Sequence, residues 1–84
     1  MQFEWDDEDR KHIARHRISP EEAQQVILGD PLLLETQDRS GERRTLCAGR
    51  TATGRAVAVV YTIRGGCVRV VTAFPAHRKL RDHL

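Results

Sequence analysis

Aromatic side chains are scarce in this 84-residue sequence, with one Trp, one Tyr and two Phe. A chain this short buries a small fraction of its surface, so its core must be thin. Cys47 and Cys67 are too few for a disulfide scaffold. Both sit in strand-like runs, where a free thiol packs as a small hydrophobe. No apolar run approaches the ~20 residues a helix needs to span a bilayer, and the N-terminus lacks a basic-then-apolar secretory pattern. No membrane association and a cytoplasmic location are expected. His12 and His16, at i and i+4, would supply half a metal site, and Cys47, Cys67, His77 and His83 lack the paired spacings that would complete one. Phosphate-cradling glycine loops, a nucleophile elbow and a redox cysteine pair are all missing. No metal and no cofactor are therefore expected.

What is present is charge. It makes up 31 % of the residues against 39 % hydrophobic, the balance of a small soluble domain, and the net charge is only +2. Its distribution is uneven: Met1 to Asp9 is acidic, while Arg43, Arg44, Arg50, Arg55, Arg64, Arg69, Arg78, Lys79 and Arg81 crowd the second half. Such segregation suits a basic face that meets phosphates or an acidic partner.

The stretch from Arg55 to Phe74 organises the rest. Two β-branched runs flank Gly65-Gly66, a strong local signal for a tight hairpin. In regular register Arg64 opposes Cys67, Thr62 opposes Arg69 and Val60 opposes Val71. On the other face Ile63/Val68, Tyr61/Val70, Val59/Thr72 and Val57/Phe74 pair, and this more apolar face is expected beneath helices. The first face turns polar toward the hairpin tip, where Thr62, Arg64 and Arg69 gather.

Around that hairpin, Phe3 and Trp5 alternate with polar residues as a short edge strand. Asp6 or Asp7 caps a surface helix running to about Arg15, with acids in its first turn. Ser19-Pro20-Glu21-Glu22 predicts a capping box, and Gly29-Asp30-Pro31 stops the second helix. Leu32 to Leu34 reads as a short strand entering an exposed polar loop, Glu35 to Gly41. A third strand spans Arg43 to Arg50. If Thr51 to Gly54 form a four-residue loop, Thr45 opposes Val60 and Arg43 opposes Thr62, which brings Arg43 onto the face of Arg64 and Arg69. A bulge at Gly54 would flip that register. Pro75 is expected to open a last helix to Leu84, with Leu80 and Leu84 at i and i+4. The result is one α+β domain with a small antiparallel sheet, two N-terminal helices and a C-terminal helix.

Several motifs stand in a fairly specific order: Phe3-Glu4-Trp5-Asp6, the run Arg15 to Ala23 (RHRISPEEA), Gly29-Asp30-Pro31, Glu42-Arg43, Gly54-Arg55, Val59 to Arg64 (VVYTIR) and Arg69 to Ala73 (RVVTA). In this the chain resembles the BrnT family of toxins from type II toxin-antitoxin systems. The resemblance implies a RelE-like fold, metal-independent ribonuclease activity on an RNA substrate, and neutralisation by a small antitoxin. That antitoxin, of ribbon-helix-helix type, would be the component that binds operator DNA. Three positions depart from the family pattern: Phe74 stands where Arg is usual, Arg17 where Gly is usual, and Leu84 where an aromatic is common.

Cleavage of RNA without a metal needs a group to take the 2′-hydroxyl proton, cations to hold the phosphate charge, and a group to protonate the leaving oxygen. Arg43, Arg64 and Arg69 suit the cationic role by their fork geometry. His16 and Glu42 suit proton transfer. The alternative is a toxin-like binding module, weak or inactive in catalysis, that holds a partner protein in a DNA-binding regulatory complex. Phe74, which removes a cation, favours it. In either case a partner is expected to cover an exposed strand edge or the last helix, with Leu80 and Leu84 as anchors.

Overall fold

The computed structural model describes residues 1–84 as five strands and three helices: β1 (Gln2–Glu4), α1 (Asp7–Ala14), α2 (Pro20–Leu28), β2 (Leu32–Arg39), β3 (Glu42–Arg50), β4 (Ala56–Arg64), β5 (Cys67–Pro75) and α3 (Arg78–Arg81). The strands form one sheet in the order β1-β5-β4-β3-β2. The class is α+β, as expected from the sequence. The sheet is mixed, because β1 runs parallel to β5, with Gln2 beside Cys67 and Glu4 beside Arg69.

Local chemistry sets the helices. Asp6 accepts from the Asp9 N–H at 2.8 Å and starts α1. Ser19 Oγ accepts from the Glu22 N–H at 3.1 Å while Glu22 Oε1 accepts from the Ser19 N–H at 3.0 Å, which closes the predicted capping box of α2. Both helices cover one face of the sheet. Ile13, Ile18, Ala23 and Val26 meet Cys47, Val57, Val59, Val70 and Ala73 there, with Trp5, Ile27 and Tyr61 packed around them. Complete burial of each valine contributes about 1.5–3 kcal/mol, so this single layer of aliphatics is the main cohesive element. Ile63, expected beneath the helices, lies beyond them and is 64 % exposed.

Four expectations change. The segment Glu35 to Arg39 is strand rather than loop. β2 pairs antiparallel with β3 from Leu32 opposite Ala48 to Arg39 opposite Glu42, around a tight turn in which Ser40 (φ 50) and Gly41 (φ 78) take left-handed conformations. All eight residues of β2 are exposed, which is why no alternation marked it. The β3–β4 register lies one residue from the regular one: Arg44, not Arg43, opposes Thr62, and Leu46, not Thr45, opposes Val60. Its cause is the turn Thr51 to Arg55. The Gly54 N–H donates to Thr51 O at 2.9 Å, the Thr51 N–H donates to Arg55 O at 2.8 Å, and Gly54 sits at φ 86. This is a three-residue loop with a glycine bulge, the alternative that flips the register.

The hairpin at Gly65-Gly66 follows expectation as far as Tyr61 opposite Val70, and then Val71 bulges out. Val60 consequently opposes Thr72, Val59 opposes Ala73 and Ala58 opposes Phe74. Ala73 thus enters the core in place of Phe74. The carbonyl of Val71 is met by His12 Nδ1 at 3.4 Å, a side-chain contact for a bulged residue. Finally, Pro75 closes β5 instead of opening a helix. The Ala76 N–H donates to Ala56 O at 3.0 Å, and α3 is a single turn capped by His77.

Candidate functional site

The helices leave the opposite sheet face open at the hairpin end. Because neighbouring residues on a strand point to opposite faces, the register puts Glu42 and Arg44 of β3, Thr62 and Arg64 of β4, and Arg69 of β5 on this open face. Together with Asp9 from α1 and Val70 and Val71, they line a shallow depression of about 130 Å³. Thr62 is buried and fixed, its hydroxyl donating to Arg43 O at 2.8 Å. It forms the level floor beneath the charged groups.

Three guanidinium groups and three carboxylates interleave here. Arg69 Nη2 donates to Asp6 Oδ2 at 2.7 Å and to Asp9 Oδ2 at 3.3 Å, and the Arg69 side chain is only 20 % exposed. The Asp9 bond holds its pKa above the ordinary arginine value. Asp6 is held below the usual carboxylate range, chiefly by the Asp9 N–H it accepts as helix cap, and further by Arg69. Arg64 Nη2 lies 3.4 Å from Glu42 Oε2 and stays 58 % exposed. Arg44 Nε is buried without a hydrogen-bond acceptor, since Glu42 Oε1 stands 3.9 Å away. A partly desolvated guanidinium with an unanswered N–H is an incomplete anion site.

Of the residues singled out from sequence, Glu42, Arg64 and Arg69 come together. Arg43 does not. Its side chain projects from the other face, where Nε donates to Asp38 Oδ1 at 3.2 Å and 72 % of the side chain is exposed. The one-residue register shift gives its place to Arg44, and the only sequence signal for this was the glycine at position 54. His16 also stands apart. Its ring meets Phe74 edge-on, with centroids 6.3 Å apart at 65°. Phe74 lies five residues along β5 from Arg69, about 17 Å at the usual strand rise. His12 does not line the depression, but its Nδ1 lies 3.4 Å from the carbonyl oxygen of Val71, which does.

The α1–α2 corner beside His16 is structural. Arg55 Nη1 donates to Arg17 O at 2.6 Å and to Glu22 Oε2 at 3.3 Å, and its Nη2 donates to His16 O at 3.2 Å. Arg17, where the family pattern has glycine, adopts φ 58. Cys47 lies in the core, where burial pushes its thiol up to about 11 and leaves it inert. No helix is long and apolar enough to cross a membrane.

No curated protein matches the sequence. The model of one protein family, described as the ribonuclease toxin BrnT of type II toxin-antitoxin systems, matches residues 5–79, a span that holds every residue lining the depression. With nearly the full chain inside that match, the protein belongs to the BrnT family of ribonuclease toxins of type II toxin-antitoxin systems.

Proposed function

We propose that this chain cleaves RNA without a metal, using the depression at the hairpin end of the open sheet face. Arg44, Arg64 and Arg69 hold the phosphate, and their convergence on one small patch is the observation that carries the reading. Glu42, between Arg44 and Arg64, accepts the 2′-hydroxyl proton. The 2′ oxygen then bonds to phosphorus, the bond to the 5′ oxygen breaks, and that oxygen leaves with a proton. We assign the second transfer to His12, one helical turn from Asp9, in preference to His16. A small antitoxin of ribbon-helix-helix type neutralises the activity and carries the operator DNA contacts. The outer edge of β2, with Leu32, Leu33 and Leu34 exposed beside it, is the strand edge such a partner would cover.

The test compares growth arrest and RNA cleavage by Arg44→Ala, Arg64→Ala and Arg43→Ala variants. Loss of one preorganised cation is expected to cut cleavage by roughly 10²-fold for Arg44 or Arg64. Arg43→Ala should stay within about threefold of wild type, since it removes only an exposed pair. A folded Arg44→Ala/Arg64→Ala double variant that still arrests growth and cleaves RNA like wild type would sink the assignment.

A second reading, a catalytically weak module that holds a partner in a regulatory complex, is favoured by two observations. Arg69 is already occupied by Asp6 and Asp9, and Phe74 puts a ring where the family pattern has a cation. Expression without the partner separates the two. Arrest with RNA loss supports the enzyme, and intact RNA with tight partner binding supports the module.

A further inference from the structure

The open face continues past the charged depression toward the middle of the sheet. Val60 pairs with Leu46 on one side and Thr72 on the other, forming a half-buried, largely aliphatic floor. Arg44 and Val71 bound it at one end, and Glu35, Gln37 and Arg39 of β2 rise along its outer side, enclosing a groove of about 240 Å³. Arg44 and Val71 line both this groove and the depression, so the two are continuous.

The β2 wall has a defined polarity. Gln37 Nε2 donates to Glu35 Oε1 at 2.9 Å. That bond spends an amide donor inside the wall and leaves the Gln37 carbonyl oxygen, Glu35 Oε2 and a lone pair on Glu35 Oε1 unanswered. The wall therefore offers acceptors to whatever lies on the floor. At the other end stand Arg39 and Arg44, which keep the groove attractive to a polyanion despite the carboxylate.

We infer that this groove is a nucleobase subsite selective for guanine in single-stranded RNA, seating the base next to the phosphate held by Arg44, Arg64 and Arg69. The inference rests on the ribonuclease reading above and adds a sequence preference to it. A flat base covers the Leu46 and Val60 side chains and removes apolar surface from water. Its edge then meets Glu35. Guanine alone presents two adjacent donors on its Watson–Crick edge, N1–H and the N2 amino group, which match the two oxygens of one carboxylate. Adenine and cytosine each set a ring-nitrogen acceptor beside their amino donor, and uracil flanks its single N–H with two carbonyls, so each would turn a lone pair toward Glu35. The edge must be unpaired to be read, which restricts the substrate to single strands, loops or ends.

The experiment measures binding of fluorescein-labelled 2′-O-methyl pentanucleotides, which lack the attacking hydroxyl, with G, A, C or U at the centre of an otherwise uniform A/U context. The wild-type chain is expected to bind the G-centred oligonucleotide at least about tenfold more tightly than the others. Glu35→Gln keeps the size of the wall but replaces one acceptor with a donor, and should bring that ratio within about twofold. Arg44→Ala should weaken all four. Thermal melting of each variant checks the fold, and mapping cut sites in a natural RNA gives a second readout, with cuts clustering beside unpaired G. Equal binding of the four oligonucleotides, with Arg44→Ala still lowering all of them, would overturn the subsite and leave the ribonuclease reading standing. Failure of every oligonucleotide to bind, together with no cleavage of natural RNA, would overturn both.

Discussion

Arg17 shows what one residue's backbone can cost. An L-residue at φ 58 gives up about 1–2 kcal/mol against the right-handed region, and nothing in the Arg17 side chain offsets that through a hydrogen bond or ion pair. Its carbonyl is what matters, because Arg55 holds it at 2.6 Å. Arg17→Gly keeps the carbonyl and relieves the strain, so it should stabilise the protein by about 1 kcal/mol, partly reduced by the freedom glycine adds to the unfolded chain. A denaturant midpoint that falls instead would show that the arginine side chain contributes to the corner. At this scale the sequence was only partly legible. Glu42, Arg64 and Arg69 could be brought together because the Gly65-Gly66 turn fixes their register. Arg44 could not, since whether residue 43 or 44 joins them turns on a single inserted residue in the Thr51 to Arg55 loop.

Elements were legible where their ends are marked by local chemistry. The second helix is the clearest case: serine, proline and glutamate at its start and glycine at its end named its limits. Ser19→Ala removes the Oγ acceptor and leaves the Glu22 N–H unpaired in a half-buried site, for an expected loss of about 1 kcal/mol by urea denaturation. Ala at position 22 in addition should cost less than the sum of the two single changes, because the two bonds close one ring. β2 was illegible for the opposite reason. It is an edge strand with both faces in water, so neither face selects apolar residues, and Glu35 to Arg39 reads as loop. The only trace it left was Ser40-Gly41, a dipeptide suited to a two-residue hairpin turn. Leu80 and Leu84 at helical spacing predict a longer last helix than the single turn of α3, Arg78–Arg81.

At the scale of the whole molecule, stability in acid rests on carboxylates that bridge elements. Glu22 is held below its ordinary range, first by the Ser19 N–H and then by Arg55, and Asp6 is held down by the Asp9 N–H and by Arg69. A carboxylate with a depressed folded pKa contributes stability that is complete above its unfolded value and disappears as the pH falls through the folded one. Thermal midpoints should therefore be flat above about pH 5 and fall below about pH 4, and Glu22→Gln should flatten part of that acid limb. An unchanged limb in Glu22→Gln would place the acid sensitivity elsewhere. The two-sided character of the molecule, greasy beneath the helices and charged on the bare face, hangs on the odd residue at Val71. Side chains alternate along β5, so pairing Val71 regularly with Val60 in place of the bulge would exchange sides for everything after it: Ala73 would turn outward to water and Phe74 inward to a space sized for a methyl group. Deleting Val71 itself should therefore leave Thr72 opposite Val60 and Ala73 inward, and cost less by thermal melting than inserting a residue after Thr72, which would turn Ala73 out.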